Sequence, residues 1–256
     1  MGARKTTMLV IIVTVILLTV QVSAVAGAGS DDKEPQLDMR VHYLYKKSPA
    51  KGGTPGAPGG NAKPPKDDDG TYKTYGKGVV WKDLPIVMTI DTSIDASSRA
   101  AIWDGAMEWE DYTSTNLFDD GGYETGSGLT WDGDTGDTPD GYNEIVFENY
   151  DDSNVIAITV VWGYFGGPPA FREIIEFDIL FNTDFVWGDA DDPDTYVMDV
   201  WNIATHEIGH GLGLADLYED ADNKETMYGY ASYEETIKRD LYLGDIAGIQ
   251  SLYGKV

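Results

Sequence analysis

The most constraining stretch of this 256-residue chain is Thr205-His206-Glu207-Ile208-Gly209-His210-Gly211-Leu212-Gly213-Leu214-Ala215-Asp216. Two histidines four apart on a helix lie on one face, one turn above each other, so both imidazoles can reach a single ion. Glu207 stands beside them, close enough to take a proton from a water at that ion. Gly213 can adopt a positive φ, which would end the helix and turn the chain back. The turn would carry Asp216 toward the same ion as a third ligand, leaving a fourth tetrahedral position open.

Zn2+ suits such a donor set. With three protein ligands it lowers the pKa of its water to about 7. Glu207 would then serve as general base and afterwards pass the proton to a leaving amine. A carboxylate ligand donates more negative charge than an imidazole and makes the ion a slightly weaker Lewis acid. Glu234 or Glu235 on the following segment is the alternative third ligand, although Gly213 would then have no geometric purpose.

The N-terminus reads as an export signal. Arg4 and Lys5 precede an apolar and threonine-containing run from Met8 to Val20, then small residues through Ala24, Ala26 and Ala28. The run is shorter than the ~20 residues a bilayer span needs. Continued to Ala28 it would be long enough, although Gln21 and Ser23 interrupt it, so a retained anchor is the alternative. Either reading puts the working part outside the cytoplasm. Cysteine is absent, which excludes a thiol nucleophile and thiolate ligands and leaves stability to core burial and bound ions.

Charge divides the chain. Before Val79 there are 11 Lys and Arg against 7 Asp and Glu, a net +4; from Val79 onward there are 7 against 37, a net −30. So acidic a region repels nucleic acid and anionic lipid. The expected partner is a protein or peptide substrate, with no nucleic acid, membrane contact only through a retained N-terminal segment, and a monomeric chain. Residues 1–28 form the signal. Residues 29–78, with the Gly-, Pro- and Lys-rich run from Lys46 to Gly70, read as a pro-segment or flexible linker. His42 in that part is expected to be a lone surface histidine.

Residues 79–256 carry the folded pattern. Strands are expected at Ile86–Asp91, Glu144–Glu148, Val155–Phe165 and Ile174–Phe181, with a further one at Arg40–Tyr45. Helices are expected at Ser97–Tyr112, Asp199–Leu212 and Glu235–Tyr253. Strands and helices mix without strict alternation, so the fold class is α/β or α+β with a twisted mixed sheet. Two acidic loops, Asp132, Asp134, Asp137, Asp140 and Asp189, Asp191, Asp192, Asp194, offer hard oxygen ligands suited to Ca2+.

His206, Glu207, His210, Gly213 and Asp216 resemble the metzincin metallopeptidases, and within them the matrixin group. The pattern is H-E-x-x-H-x-x-G-x-x-H, with Asp at the last place in the snapalysin-like members. Glu225-Thr226-Met227-Tyr228 is similar to the Met-turn, which implies that Met227 is a hydrophobic floor beneath the metal. Leu243 to Gly254 resembles the end of matrixin domains, where an Asp-Asp pair ties the last helix to the Met-turn. Asp245 matches the second of the pair; Gly244 departs from the first. The resemblance also implies that Val155–Phe165 is an edge strand on which an extended substrate pairs.

Two features of the group are missing: histidines for a second zinc, and the cysteine that caps the zinc in zymogens. If the basic N-terminal part confers latency, it would lie across the acidic cleft until cut within Lys46–Lys77. The resemblance implies a secreted zinc endopeptidase. Its rival is a non-catalytic or single-partner extracellular zinc-binding module on the same scaffold. Tyr228 and Tyr230 are candidates for oxyanion support.

Overall fold

The computed structural model describes residues 35–47, 70–131, 133 and 138–256. The expected signal, most of the Gly- and Pro-rich run, and Asp132, Asp134 and Asp137 of the first acidic loop lie outside the described residues. In chain order the elements are β1 (Asp38–Lys46), β2 (Met88–Asp91), α1 (Ala96–Glu110), β3 (Glu124–Gly126), β4 (Asn143–Glu148) and β5 (Val155–Tyr164). They continue with β6 (Glu173–Asn182), β7 (Trp187–Gly188), β8 (Met198–Asp199), α2 (Val200–Gly211), β9 (Tyr230–Ala231) and α3 (Leu243–Tyr253). None of the described helices is long and apolar enough to cross a membrane.

A seven-stranded mixed sheet has the order β3-β2-β4-β6-β5-β1-β9. β5 runs antiparallel to both β6 and β1, and the other neighbours are parallel. The α/β class with a mixed sheet is thus the observed one. β5 is apolar along its length apart from Thr159 because both of its faces are covered. Ile156, Ala157 and Val161 join the core under the helices. Ile158, Val160 and Trp162 join a second cluster, against which Met39, Val41, Tyr43 and Tyr45 of β1 pack.

The first two helices begin on acidic caps. Asp95 accepts from the backbone N–H groups of Ser97 and Ser98 at the start of α1, and Asp199 accepts from Asn202 N–H at the start of α2. α1 packs Ile102, Ala106 and Trp109 into the core. The Trp109 indole N–H donates to the Thr205 carbonyl at 2.7 Å, locking α1 to α2.

Three expectations need correction. The last helix is shorter than Glu235–Tyr253, because tertiary partners claim the backbone before Leu243. Lys238 N–H donates to Asn202, Asp240 C=O accepts from the Thr226 hydroxyl, and α3 begins where Tyr242 N–H meets Asp245. The folded part also reaches back before Val79: Thr74 bridges Leu214, and the Tyr75 hydroxyl donates to His210 C=O. Finally, β5 is no free edge. Residues 38–45 of the chain itself pair along it, and Leu44 is fully buried in the helix-side core. Such a leucine contributes about 1.5–3 kcal/mol through burial.

The second acidic loop faces a cation already present in the chain. The Arg239 guanidinium donates to Asp189 at 2.6 Å and to Asp191 at 2.7 Å, and it also bonds Asp199. Those carboxylates therefore hold the entry to α2 against the segment before α3.

Candidate metal centre

α2 buries the whole of its motif; His206, Glu207 and His210 are inaccessible to solvent. At its end Gly213 has φ +104°, a conformation that favours glycine. Its N–H donates to His210 C=O, and Leu214 N–H donates to Gly209 C=O. The released carbonyls find side-chain donors: Trp81 Nε1–H on Gly211 C=O and the Tyr253 hydroxyl on Leu212 C=O. The chain then doubles back and brings Asp216 under the two imidazoles.

The hydrogen bonds set the tautomers. His206 Nδ1 lies 2.6 Å from Thr226 C=O and His210 Nδ1 lies 2.9 Å from Leu214 C=O. A carbonyl only accepts, so each Nδ1 carries the proton and each Nε2 presents a lone pair. The two Nε2 atoms are 3.2 Å apart, and Asp216 Oδ1 is 3.5 Å from each. Among the described residues Oδ1 has no hydrogen-bond partner. Burial holds His206 down to about 4, so it is neutral at physiological pH. Three electron pairs thus converge in a buried place, an arrangement that a cation relieves. The donor set of two nitrogens and one carboxylate oxygen fits Zn2+.

Glu207 sits against this group. Its Oε2 accepts from the Thr159 hydroxyl of β5, and its Oε1 is buried with no partner among the described residues. Burial pushes its carboxyl up to about 7, opposed by the Thr159 bond.

Met227 is buried and its sulfur lies against α2 where Gly209 lacks a Cβ. Asp245 accepts from the backbone N–H groups of Thr226 and Met227, tying the turn to α3. Glu234 and Glu235 are engaged elsewhere. Glu234 accepts from Val197 N–H at 2.7 Å, and Glu235 pairs with the Lys238 ammonium at 3.4 Å. Tyr228 turns inward beneath Lys238, and Tyr230 stacks edge-on against Tyr218.

Sequence reasoning missed three residues. Thr159 was hidden as one hydroxyl within an apolar strand. Tyr75 lay in what read as linker. His42, expected on the surface alone, is in the site: Nδ1 is 3.1 Å from Asp216 Oδ2 and the ring stacks on His210 at 4.0 Å. His42, His210 and Asp216 form a group whose ligand atoms lie within 4.8 Å of one another. The signal that could have found His42 was its place on an alternating strand pattern, with Arg40 and Leu44 on the same face.

Glu225 and Asp245 make a second buried pair. Glu225 accepts from the N–H groups of Gly244 and Asp245 at 2.9 and 3.0 Å. Burial and then the Asp245 charge raise its pKa above the ordinary 4.5. The folded chain therefore keeps a proton that the unfolded chain releases, so this pair's contribution to stability falls as pH rises above about 4.5. Glu225→Gln cannot ionise. Thermal melts from pH 5 to pH 8 should show the unaltered chain losing stability relative to this variant as pH rises. Parallel profiles would refute the retained proton.

A mixed sheet, an H-E-x-x-H helix closed by a glycine turn, and a methionine turn beneath it define the metzincin class of fold. Over residues 144–254 the chain matches the family model Peptidase_M10, matrixin. That match and the fold make this part of the chain matrixin-like. The chain is also 38% identical over 80 residues to the matrilysin of Rattus norvegicus, a match covering 30% of this chain and 27% of that protein.

Proposed function

We propose that the chain is an exported zinc endopeptidase in which His206, His210 and Asp216 hold the ion and Glu207 moves the proton. The observation that carries this reading is the convergence of two Nε2 lone pairs and the unpartnered Asp216 Oδ1 beside the free Oε1 of Glu207. The likeness to matrixins supports the same class.

Zinc bound there would acidify a water and polarise the scissile carbonyl. Glu207 Oε1 is the atom placed to accept the water's proton, while the Thr159 hydroxyl on Oε2 keeps the carboxylate oriented. The same carboxyl can then return the proton to the departing amine. Thr226 and Leu214 carbonyls hold the imidazoles in the tautomer that leaves Nε2 free. Met227 forms the apolar support behind them. The backbone slot between β5 and β9 suits an extended peptide, since main-chain pairing tolerates many sequences. Residues 1–28 serve as the export signal, and the run from Lys46 to Gly70 serves as a linker.

The test is metal content with hydrolysis of an unfolded protein, run on the full chain and on its His42→Ala variant. One equivalent of zinc is expected, with hydrolysis lost on chelation and regained on zinc addition. Hydrolysis indifferent to chelation, or no zinc uptake, would overturn the reading. Asp216→Ala should cost at least tenfold in zinc affinity, whereas Glu234→Gln and Glu235→Gln should leave it unchanged; the reverse result would reassign the third ligand.

A further inference from the structure

We propose that β1 is a self-inhibitory strand: it occupies the peptide slot of the cleft, and His42 closes the metal centre as a fourth donor. The proposal rests on the metallopeptidase reading above.

β1 is held on two backbone edges at once. On one side it runs antiparallel to β5 from Asp38 opposite Gly163 to Tyr45 opposite Val155. On the other it runs parallel to β9, with Tyr45 opposite Tyr230 and Lys46 opposite Ala231. Lys46 N–H donates to Asn154 C=O and Lys47 N–H donates to Ala231 C=O, both at 2.8 Å. This is how an added strand binds a sheet edge, with side chains alternating between pockets on opposite faces. No exogenous peptide can pair with β5 while residues 38–45 do.

The inward face of β1 blocks the centre itself. Leu44 fills an apolar pocket in the core and is fully buried. Two residues earlier His42 pairs with Thr159 of β5, the same residue whose hydroxyl holds Glu207. The His42 ring is sandwiched between His210 at 4.0 Å and Tyr75 at 5.2 Å. Its Nδ1 meets Asp216, and its Nε2 is buried with no hydrogen-bond partner among the described residues. Arg40, on the same face, lies over the rings of Phe165 and Tyr75 and anchors the strand's entry.

A centre with three protein donors keeps a position for water; one with four is closed, as in structural zinc sites. His42 supplies the fourth donor from a segment that the linker run Lys46–Gly70 joins to the rest.

Cobalt(II) in place of zinc gives the test, because its visible spectrum reports donors and added ligands. The full chain loaded with cobalt should show no spectral change with acetohydroxamate, a small chelating probe. His42→Ala should shift on addition of the probe and should hydrolyse unfolded protein at least tenfold faster than the unaltered chain. Leu44→Asp, which puts a charge into the apolar pocket and expels the strand with His42 intact, should behave as His42→Ala does. If the unaltered chain binds the probe and hydrolyses as fast as both variants, the closed centre is refuted while the peptidase reading survives. If no chain takes up cobalt, both fall together.

Discussion

Glu207→Gln, placed in the His42→Ala chain, is expected to lower hydrolysis of unfolded protein by about 10²–10⁴-fold, the usual contribution of a positioned acid–base group. It should keep one equivalent of zinc. The amide has the shape of the carboxyl and can still engage the Thr159 hydroxyl, so folding and the tautomers of His206 and His210 should be undisturbed. What it lacks is the oxygen that takes a proton. In the native site that oxygen, Oε1, is buried and unpartnered, and burial raises the carboxyl to about 7. A nearby cation would draw the value back down, which keeps the group ionised and still basic enough to work near neutral pH. Zinc titration and a progress curve on the two chains decide the matter. Hydrolysis equal in both would remove Glu207 from the mechanism; loss of zinc along with hydrolysis would make it a ligand.

Gly244→Asp, the change that would complete the Asp-Asp pair of matrixins, should destabilise this chain by about 3–5 kcal/mol. A Cβ at Gly244 would fall 2.0 Å from Thr71 C=O and 2.8 Å from the carboxyl carbon of Glu225. Neither neighbour can yield cheaply, since Thr71 contributes backbone and Glu225 is bonded to Gly244 N–H and Asp245 N–H. Overpacking of this kind costs about 1–3 kcal/mol. A third carboxylate beside two buried ones adds charge repulsion and desolvation of similar or larger size. For a folded part of this size the melting temperature should drop by roughly 10 °C. Gly244→Ala isolates the steric share and should fall in between. An unchanged melting temperature in Gly244→Asp would show that the pocket opens where the packing says it is closed.

Both predictions turn on how a familiar pattern is completed by unexpected residues. The tie between α3 and the methionine turn looked weakened by Gly244, because the matching acid was absent. The acid comes from the turn itself: Glu225 reaches across and takes the N–H groups at the start of α3. Its presence was legible in the sequence only as part of Glu225-Thr226-Met227-Tyr228. That its carboxyl fills the volume of a missing side chain 19 residues later was not.

Expectations failed in a consistent way. The segment before α3 had helical spacing, with Ile237 and Leu241 one turn apart. Asn202, Thr226 and Asp199 claim its polar groups, and a fixed tertiary partner outweighs helix propensity of a few tenths of a kcal/mol per residue. The second acidic loop looked like a cation site, and two of its carboxylates, Asp189 and Asp191, are engaged by Arg239. No local reading of Asp189 and Asp191 could supply a guanidinium from fifty residues away.

What the sequence by itself determined is whatever depends on near neighbours. The four-residue step from His206 to His210 sets both on one helix face. The glycine at 213 permits the turn toward Asp216, and the apolar run of β5 requires cover on both faces. These follow from backbone geometry repeated over a few residues. Only the tertiary structure decided what lies across β5 and beside the metal centre. His42 is 168 positions from His210 in the chain, and nothing in its own neighbourhood marks it as more than one polar residue on a strand. It reaches the centre because β5 offers an unpaired backbone edge and β1 satisfies it, and pairing between distant strands is set by the whole fold.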